Sequence, residues 1–357
     1  MSNREPWLAV NLSWIFPGLG QIYSGKKTKG YFLIFICIAL QILGFWLIIN
    51  PTGDIRIGAC LIVISIFIWF WNLFDAYSVA RSQNTDEFEF LRQMSKDPWL
   101  AMLLTRFLGI GYFYIGKFFL GVFAIFMIIG SARFSPLLLP IVSGIFSYIA
   151  YIFSPGHRHW SKNMALLIAI LIIISGLLSS GFVFSLRAYV IESRWTPSGA
   201  MEPTLQGSPN QENADKILVN KFSYRFENPK RGDIIVFLPN EELQKEQYKD
   251  AFIKRIVGLP GEKVQLKKGL VYIDNQPLSE KKYLTSKQRT LIDICTAGTQ
   301  PPYLSKPVTI PAESYLVLGD NRNSSYDGRC WGVVPRNLII GKAYKRWFPF
   351  NRIASLE

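Results

Sequence analysis

The chain has 357 residues, enough for two or three domains, and half of its residues are hydrophobic. Its formal net charge is +14, shared evenly: residues 1–190 carry 14 basic and 7 acidic side chains, and the remainder carries 25 and 18. A nucleic-acid-binding protein concentrates basic residues in one patch, so this distribution argues against nucleic acid as a partner. It favours topology signals and attraction to anionic membrane lipid.

Residues 1–190 predict an α-helical polytopic membrane domain. Uncharged runs of the length that crosses a bilayer core predict spans at about 31–50, 57–74, 118–133, 136–153 and 164–186. Basic residues between these spans favour cytoplasmic loops that leave the chain outside the membrane from about residue 190. Shorter apolar stretches at 7–23 and 99–115 are predicted to be re-entrant or interfacial. A cleavable signal peptide does not fit, because further spans follow the first apolar run.

The membrane domain contains an internal repeat, predicted at about 7–80 and 99–155 and followed by the last span. Residues 6–9 (PWLA) recur at 98–101, and residues 20–26 (GQIYSGK) recur with changes at 111–117 (GYFYIGK). The first copy resembles small two-span membrane modules with a Pro-Gly-Leu-Gly-x-x-Tyr motif. Because ionisable residues are scarce in these spans, we expect scaffold rather than a binding site.

Residues 191–357 predict a mainly β extracytoplasmic domain. Short runs rich in Val, Ile, Leu and Tyr predict strands at 216–220, 232–238, 251–257, 263–266, 270–273, 315–318 and 338–344. Residues 267–269 (KKG) predict a hairpin turn, and residues 274–311 predict a less regular insertion.

If this domain uses a serine nucleophile, a lysine is its candidate general base. The two histidines of the chain, His157 and His159, fall in a predicted cytoplasmic loop, which excludes a Ser-His-Asp triad across the membrane. Alternation along the strand at 251–257 places Lys254 on one apolar face with Phe252 and Ile256. Desolvation on such a face lowers the pKa of an amine and yields the neutral form that accepts a proton.

Three ordered stretches carry a family resemblance: 196–205 (TPSGAMEPTL), 252–262 (FIKRIVGLPGE) and 319–329 (GDNRNSSYDGR). Together they resemble the conserved boxes of type I signal peptidases, membrane-bound serine proteases with a Ser-Lys dyad, over about residues 185–350. The resemblance implies a mainly β catalytic fold that cleaves signal peptides from exported preproteins after small residues. It implies neither a metal nor an organic cofactor. It also implies a bacterial inner (plasma) membrane or an internal energy-transducing membrane. The multi-pass prediction comes from the apolar runs, whose number exceeds the one or two spans typical of bacterial members of this family.

The resemblance also assigns roles to residues. Lys254 matches the general base, Ser325 matches the hydroxyl that hydrogen-bonds and orients that base, and Asp327 with Arg329 matches an ion pair that stiffens the site. Ser198 matches a serine whose hydroxyl lines the oxyanion hole together with the backbone N–H at position 200. In the family, a pocket binds the small residue before the scissile bond. The residues that match its wall are Pro197, Met201, Leu205 and Ile253.

The chain departs from the family pattern at the nucleophile. The pattern Ser-Gly-Ser-Met has its attacking serine where this chain has Ala200, whose methyl group has no nucleophilic atom. Three explanations stay open: Ser198 acts as the nucleophile with Lys254 as base, the protein is a natural relative without peptidase activity, or the alanine was introduced deliberately. The rival to an enzyme is a membrane scaffold or signal-peptide-binding protein.

The four cysteines do not form a metal-site pattern. Cys37 and Cys60 lie in predicted spans, and Cys295 and Cys330 lie in the β domain. A disulfide between the latter two is possible in an oxidising compartment, and the sequence leaves their pairing open.

Overall fold

The computed structural model describes residues 3–50, 52–156, 161–285, 288–295 and 301–356. The chain divides into two compact units, a helical unit Met1–Ser185 and a β unit Leu186–Glu357. The boundary falls five residues before the predicted one at residue 190. The predicted loop with His157 and His159 lies outside the described residues.

In its described part, the helical unit has ten α-helices. They are α1 Pro6–Ile15, α2 Leu19–Tyr23, α3 Lys27–Ile49, α4 Ile55–Arg81, α5 Asp86–Gln93, α6 Pro98–Thr105, α7 Ile110–Tyr114, α8 Phe118–Phe134, α9 Leu138–Phe153 and α10 Lys162–Ser185. A π-helical turn, Leu186–Val190, continues α10 into the β unit.

Three of these helices are long and apolar enough to cross a membrane: α3, α4 and the continuous segment Lys162–Val190. Helices α8 and α9 coincide with the other two predicted spans, but they have only 17 and 16 residues. Large apolar side chains are exposed along these helices, including Phe67 on α4 and Phe119 on α8. An exposed apolar surface of this extent is suited to lipid rather than water.

The two halves of the helical unit repeat one local design, a helix, a short second helix and two long helices. The short helices α2 and α7 both begin after a glycine in the left-handed region, Gly18 (φ 90°) and Gly109 (φ 78°). A Cβ on Gly20 would lie 2.2 Å from the Ala9 carbonyl oxygen, and one on Gly111 would lie 2.0 Å from that of Ala101. The recurring glycines therefore allow the same close backbone approach in each half.

A buried amide joins the first helices of the two halves. The Asn11 side chain, which is fully buried, donates to the carbonyl oxygens of Trp7 (2.7 Å) and Trp99 (2.8 Å). Its oxygen accepts from the Arg106 guanidinium at 2.6 Å. These bonds satisfy both ends of a polar group that would be costly to bury alone.

The β unit contains twelve strands and two short α-helices in the residues described, besides short 3-10 turns. The strands are β1 Ile191–Trp195, β2 Lys216–Asn220, β3 Ile234–Phe237, β4 Phe252–Gly258, β5 Lys263–Lys267, β6 Leu270–Ile273, β7 Gln276–Pro277, β8 Val308–Thr309, β9 Ser314–Leu318, β10 Val333–Pro335, β11 Ile339–Phe348 and β12 Ala354–Ser355; the helices are α11 Glu241–Lys245 and α12 Gly328–Trp331. All pairings are antiparallel: the large sheet has the order β1-β2-β11-β3-β4-β9-β10 with β12 on β11, and the small sheet has the order β7-β6-β5-β8.

The mainly β fold and all seven predicted strands are present. Lys268 (φ 50°) and Gly269 (φ 76°) form the two-residue turn between β5 and β6, as a tight hairpin requires. Strands β1, β7, β8, β10 and β12 were not predicted. Charged side chains interrupt the apolar pattern of β1, and the other four have only two or three residues.

Two apolar clusters cover opposite faces of the large sheet at β3 and β4. The first cluster contains Phe237, Ile256, Val317, Trp331 and their neighbours, with Phe252 packed against it, and the second contains Met201, Leu205, Ile234, Val236 and Ile253. Strand β9 ends at Leu318, which pairs with Arg255. The first residues of β4, including Lys254, therefore lie beyond the end of β9 and border the loops that carry the other candidate site residues.

Candidate active site

The first box forms an exposed turn that is fixed at both ends. Thr196 donates to the carbonyl oxygens of Gln206 (2.7 Å) and Asp215 (3.1 Å). Ser198, which has extended backbone and an exposed side chain, precedes a 3-10 helix, Gly199–Met201, that contacts β4. The N–H groups of the first turn of such a helix have no partner within the helix. The turn thus presents a hydroxyl beside free N–H groups.

Lys254 is a buried amine on β4. Only 4% of its surface is exposed, and its Nζ lies 5.8 Å from the centre of the Phe252 ring. Burial lowers the pKa of Lys254 from the ordinary 10.5 to about 8, and the nearby Asp327 carboxylate opposes this shift. A sizeable fraction of this amine is therefore neutral near pH 8, as a general base needs.

Ser325 lies in the third box and is 1% exposed. Its Oγ has no hydrogen-bond partner in the part of the chain that the structure describes. The predicted hydrogen bond between Ser325 and Lys254 is therefore not formed in this structure, although both side chains are buried. A buried hydroxyl without a partner is costly, which marks Ser325 as a group with unused hydrogen-bonding capacity.

Gly319 packs tightly against both Ala200 and Ser325. A Cβ on Gly319 would lie 2.0 Å from Ser325 Oγ and 2.4 Å from the Ala200 carbonyl oxygen. No side chain fits in that space, so only glycine permits this packing. The carbonyl of Ala200, the predicted position of the nucleophile, is consequently held near the Ser325 hydroxyl.

Asn321 and Asp320 attach the third box to the first. The Asn321 backbone N–H donates to the Ala200 carbonyl oxygen at 3.1 Å, and its side chain donates to the Gly199 carbonyl oxygen at 3.0 Å. The Asp320 carboxylate accepts a hydrogen bond from Thr204 Oγ1 at 2.6 Å. It also accepts hydrogen bonds from Nε and Nη2 of Arg255, at 2.8 and 2.6 Å. These bonds fix the backbone of the turn that carries Ser198.

Asp327 and Arg329 form an ion pair that is fully buried. Arg329 Nε and Nη2 donate to the two carboxylate oxygens at 2.8 and 2.9 Å, and the Gly319 N–H donates to the same carboxylate at 2.9 Å. The guanidinium also donates to the carbonyl oxygens of Ser325 (3.1 Å) and Arg322 (2.9 Å). With its hydrogen bonds satisfied, the pair fixes the fold of the third box around Ser325.

The insertion is tied to the same loop by a second ion pair and a disulfide. Arg322 is fully buried, bonds the Glu280 carboxylate and donates to Thr290 Oγ1 at 2.5 Å. Cys295 and Cys330 are joined by a disulfide, which settles the pairing that the sequence left open.

Three of the four residues predicted for the small-residue pocket lie together. Met201, Leu205 and Ile253 belong to the second apolar cluster, and each is at most 8% exposed. Pro197 is exposed and is not part of that cluster. These three side chains therefore pack together beneath the exposed turn, and Pro197 lies outside their cluster.

The region that contains the three boxes is similar to known proteins. The family model "Signal peptidase, peptidase S26" matches residues 161–348. The chain is 45% identical over 181 residues to a signal peptidase I of Leptolyngbya laminosa, covering 50% of this chain and 79% of that protein. It is 37% identical over 203 residues to a Synechocystis protein named "Probable signal peptidase I-2", covering 57% and 80%.

This chain belongs to the peptidase S26 family. The S26 region extends from α10 to β11, so it takes in all three boxes. A signal peptidase I of Bacillus caldolyticus is 33% identical over 172 residues, covering 48% of this chain and 87% of that protein. A crystal structure of a signal peptidase I from Enterococcus faecalis is 28% identical, covers 32% of this chain and 97% of that chain, and has a TM-score of 0.25.

Sequence reasoning missed several residues of this S26 site. The turn-forming residues Gly319 and Asn321 lie within the third box, but their contacts with the first box were not predicted. The roles of Arg322, Glu280 and Thr290 were not predicted at all. A glycine before a run of turn-forming polar residues signals a tight loop, but which backbone it approaches depends on long-range packing. In the described ranges, no group of three or more His, Cys, Asp or Glu side chains is placed to hold a metal ion.

Proposed function

We propose that this membrane-bound S26 homologue cleaves signal peptides from exported preproteins, with Ser198 as the nucleophile and Lys254 as the general base. A retained, buried lysine is the observation that carries the proposal. Its pKa of about 8 supplies the neutral amine that Ser-Lys chemistry requires. Burying an amine costs stability, and a purely structural scaffold gains nothing from it.

The hydroxyl groups of the first box single out Ser198. Thr196 donates to two carbonyl oxygens, and Thr204 donates to the Asp320 carboxylate. Ser198 is exposed, and its hydroxyl makes no hydrogen bond with any residue that the structure describes. Of the three hydroxyls in residues 196–205, it is therefore the one that is open to a substrate carbonyl.

The chemistry needs only these two side chains and water. Ser198 Oγ forms a bond to the scissile carbonyl carbon while its proton passes to neutral Lys254 Nζ. Collapse of the tetrahedral intermediate breaks the C–N bond, and the Lys254 ammonium returns the proton to the departing amine. Water then attacks the acyl carbon of the Ser198 ester and gives a proton to Lys254. As the ester C–O bond breaks, the Lys254 ammonium returns that proton to Ser198 Oγ, and the signal peptide leaves as a carboxylate with its second proton released to solvent.

Other groups near Ser198 and Lys254 would support this chemistry. Because Ser198 is occupied as the nucleophile, the backbone N–H of Ala200 remains as a donor to the oxyanion. Met201, Leu205 and Ile253 form the apolar wall against which a small side chain before the scissile bond would rest. Ser325, with its unused hydroxyl, would orient the Lys254 amine once the substrate excludes water.

The predicted membrane attachment serves this function. A preprotein cleavage site emerges beside the bilayer, and a tethered enzyme meets it at a raised effective concentration. We place the β unit on the extracytoplasmic side of a bacterial inner or internal energy-transducing membrane, with anionic lipid around the basic residues of the helical unit. The positions of basic residues along the sequence support this orientation.

The test is a processing assay with purified full-length protein in detergent and a preprotein. Ser198→Ala and Lys254→Met are each expected to abolish cleavage, because one removes the attacking oxygen and the other removes the base. Ser208→Ala removes another serine hydroxyl of the same unit and is expected to keep the normal rate. Unchanged processing by Ser198→Ala would rule out Ser198 as the nucleophile.

A second function, binding signal peptides without cleaving them, is favoured by one observation. Ala200 occupies the family nucleophile position, and its carbonyl is held beside Gly319 by Asn321. A complete binding surface that lacks only that hydroxyl would retain preproteins uncut. Binding by unaltered protein without any product, even at pH 9, would support this alternative.

A further inference from the structure

A groove of about 950 Å³ opens in the β unit next to the candidate active site. Its walls are α11, α12, the strand segment around Val333 and the Cys295–Cys330 disulfide. Tyr326, which directly follows Ser325, lines it, and so does Trp331. The groove therefore begins one residue from the proposed orienting hydroxyl.

Aromatic contacts connect this groove to the catalytic amine. Lys254 Nζ lies 5.8 Å from the Phe252 ring centre, and that ring lies 6.5 Å from the Trp331 ring. Tyr248 contacts both Phe252 (5.4 Å) and Tyr326 (6.4 Å). A series of aromatic contacts thus connects Lys254 to Tyr326 and Trp331, which line the groove.

The groove and the small-residue pocket lie on opposite sides of β4. Trp331 belongs to the first apolar cluster, whereas Met201 and Ile253 belong to the second. The side chain of Lys254 shares the face of Phe252 and the first cluster, on the part of β4 that extends beyond the end of β9. A substrate chain whose residue before the scissile bond enters the pocket would continue past Lys254 toward the groove.

The groove has a charge and an unused donor. It is lined by Glu241, Glu242 and Glu246 against Lys245, so its formal charge is −2. Glu242 pairs with Lys245 at 2.6 Å, and Glu246 accepts from Tyr326 at 2.7 Å. A second observation is independent of charge. Trp331 is only 4% exposed, and its Nε1–H finds no acceptor among the described residues. An indole N–H is a donor only, so a peptide carbonyl would satisfy it.

We infer that this groove binds the mature segment of the preprotein, the residues after the scissile bond, and prefers basic side chains there. This inference rests on the proposed function, because the direction of the substrate is set by the pocket and Lys254. The carboxylates attract the basic side chains, and the Trp331 donor holds the extended backbone. The occupant is a peptide chain in transit, which an open polar groove admits and releases.

The test is peptide binding to full-length Lys254→Met protein in detergent, measured by fluorescence anisotropy so that no cleavage interferes. Three peptides span the cleavage site and carry two Lys, two Gln or two Glu residues at the third and fourth mature positions. The Lys peptide is expected to bind about threefold to tenfold more tightly than the Glu peptide at low salt, with a smaller difference at high salt. Replacing Glu241 and Glu242 together by Gln should remove that preference.

Two further variants complete the design. Glu212→Gln removes an exposed carboxylate that does not line the groove, and it should leave the preference unchanged. Trp331→Phe keeps a ring in place and removes the N–H, so all three peptides should bind about twofold to fivefold more weakly. Equal binding of the three peptides, or a preference that survives in the Glu241 and Glu242 variant, would overturn the inference.

The binding readout separates this inference from the proposed function. A charge preference that depends on Glu241 and Glu242, in a protein that cleaves nothing, would keep the groove and reject the catalytic proposal. Cleavage by unaltered protein without any such preference would keep the catalytic proposal and reject the groove.

Discussion

Replacing the buried Lys254 by methionine should stabilise the β unit while it removes activity. The side chains have similar length and shape, so Lys254→Met keeps the packing against Phe252 and removes the charge. The pKa of Lys254 falls from 10.5 in the unfolded chain to about 8 in the folded protein. That difference corresponds to about 3 kcal/mol, the amount by which desolvation of the ammonium destabilises the folded state.

The sign of the pH dependence follows from the lowered pKa. Below pH 8 the amine is protonated in both the folded and the unfolded state, so the full penalty of about 3 kcal/mol is present. As pH rises from 8 to 10.5, the folded protein releases its proton first, and the penalty disappears. The stability gained by Lys254→Met should therefore be largest below pH 8 and approach zero near pH 10.5.

Hydrogen exchange by mass spectrometry measures this difference in the full-length protein. The slowest amides of β3 and β4 report the unfolding of the β unit, and comparing variant with unaltered protein at each pH cancels the intrinsic exchange rate. Lys263→Met, at an exposed position on β5, is the matched control and should change little at any pH. A Lys254→Met protein that is less stable at pH 7, or equally changed at pH 7 and pH 10, would refute the reasoning.

Four other outcomes are expected. The kcat/KM for preprotein cleavage should rise with pH and level off above about pH 8, because only neutral Lys254 accepts the serine proton; a flat profile from pH 6 to 9 would contradict this. Gly319→Ala should abolish processing and lower the melting temperature, since its Cβ has no space; normal processing would show that the loop rearranges freely. Asp327→Asn should destabilise the β unit by about 3 to 5 kcal/mol, measured by urea unfolding, because it leaves a buried guanidinium unbalanced, and a loss under 1 kcal/mol would contradict a buried pair. Reduction of the Cys295–Cys330 bridge should cost about 2 to 4 kcal/mol in the same assay, and unchanged stability would mean that the 35-residue connection adds no restraint.

The local sequence pattern was sufficient to predict much of the secondary structure of the β unit. The alternation along β4 placed Lys254 with Phe252, and the structure keeps these two side chains 5.8 Å apart on that face. The turn of Lys268 and Gly269 was likewise readable, because few residue types adopt positive φ. Both features depend on neighbours in the sequence.

Contacts between distant segments could not be read in the same way. Gly319 approaches Ala200 and Ser325, and Arg322 reaches Glu280 across 42 positions, through packing that no sequence period encodes. The buried state of Asp327 was similarly hidden, because a polar turn sequence looks the same whether its loop is solvated or covered by an insertion. The short strands were missed because two or three residues carry no measurable alternation.

The central claim is that the hydroxyl of Ser198 replaces the one missing at Ala200. Its most direct test compares unaltered full-length protein with Ala200→Ser and with Ser198→Ala, using one preprotein and sequencing the new N-terminus of the product. We expect unaltered protein to cleave, Ser198→Ala to be inactive, and every product to begin after the same small residue. No cleavage by unaltered protein, together with cleavage by Ala200→Ser, would contradict the claim. That result would identify a binding site that lacks only its nucleophile.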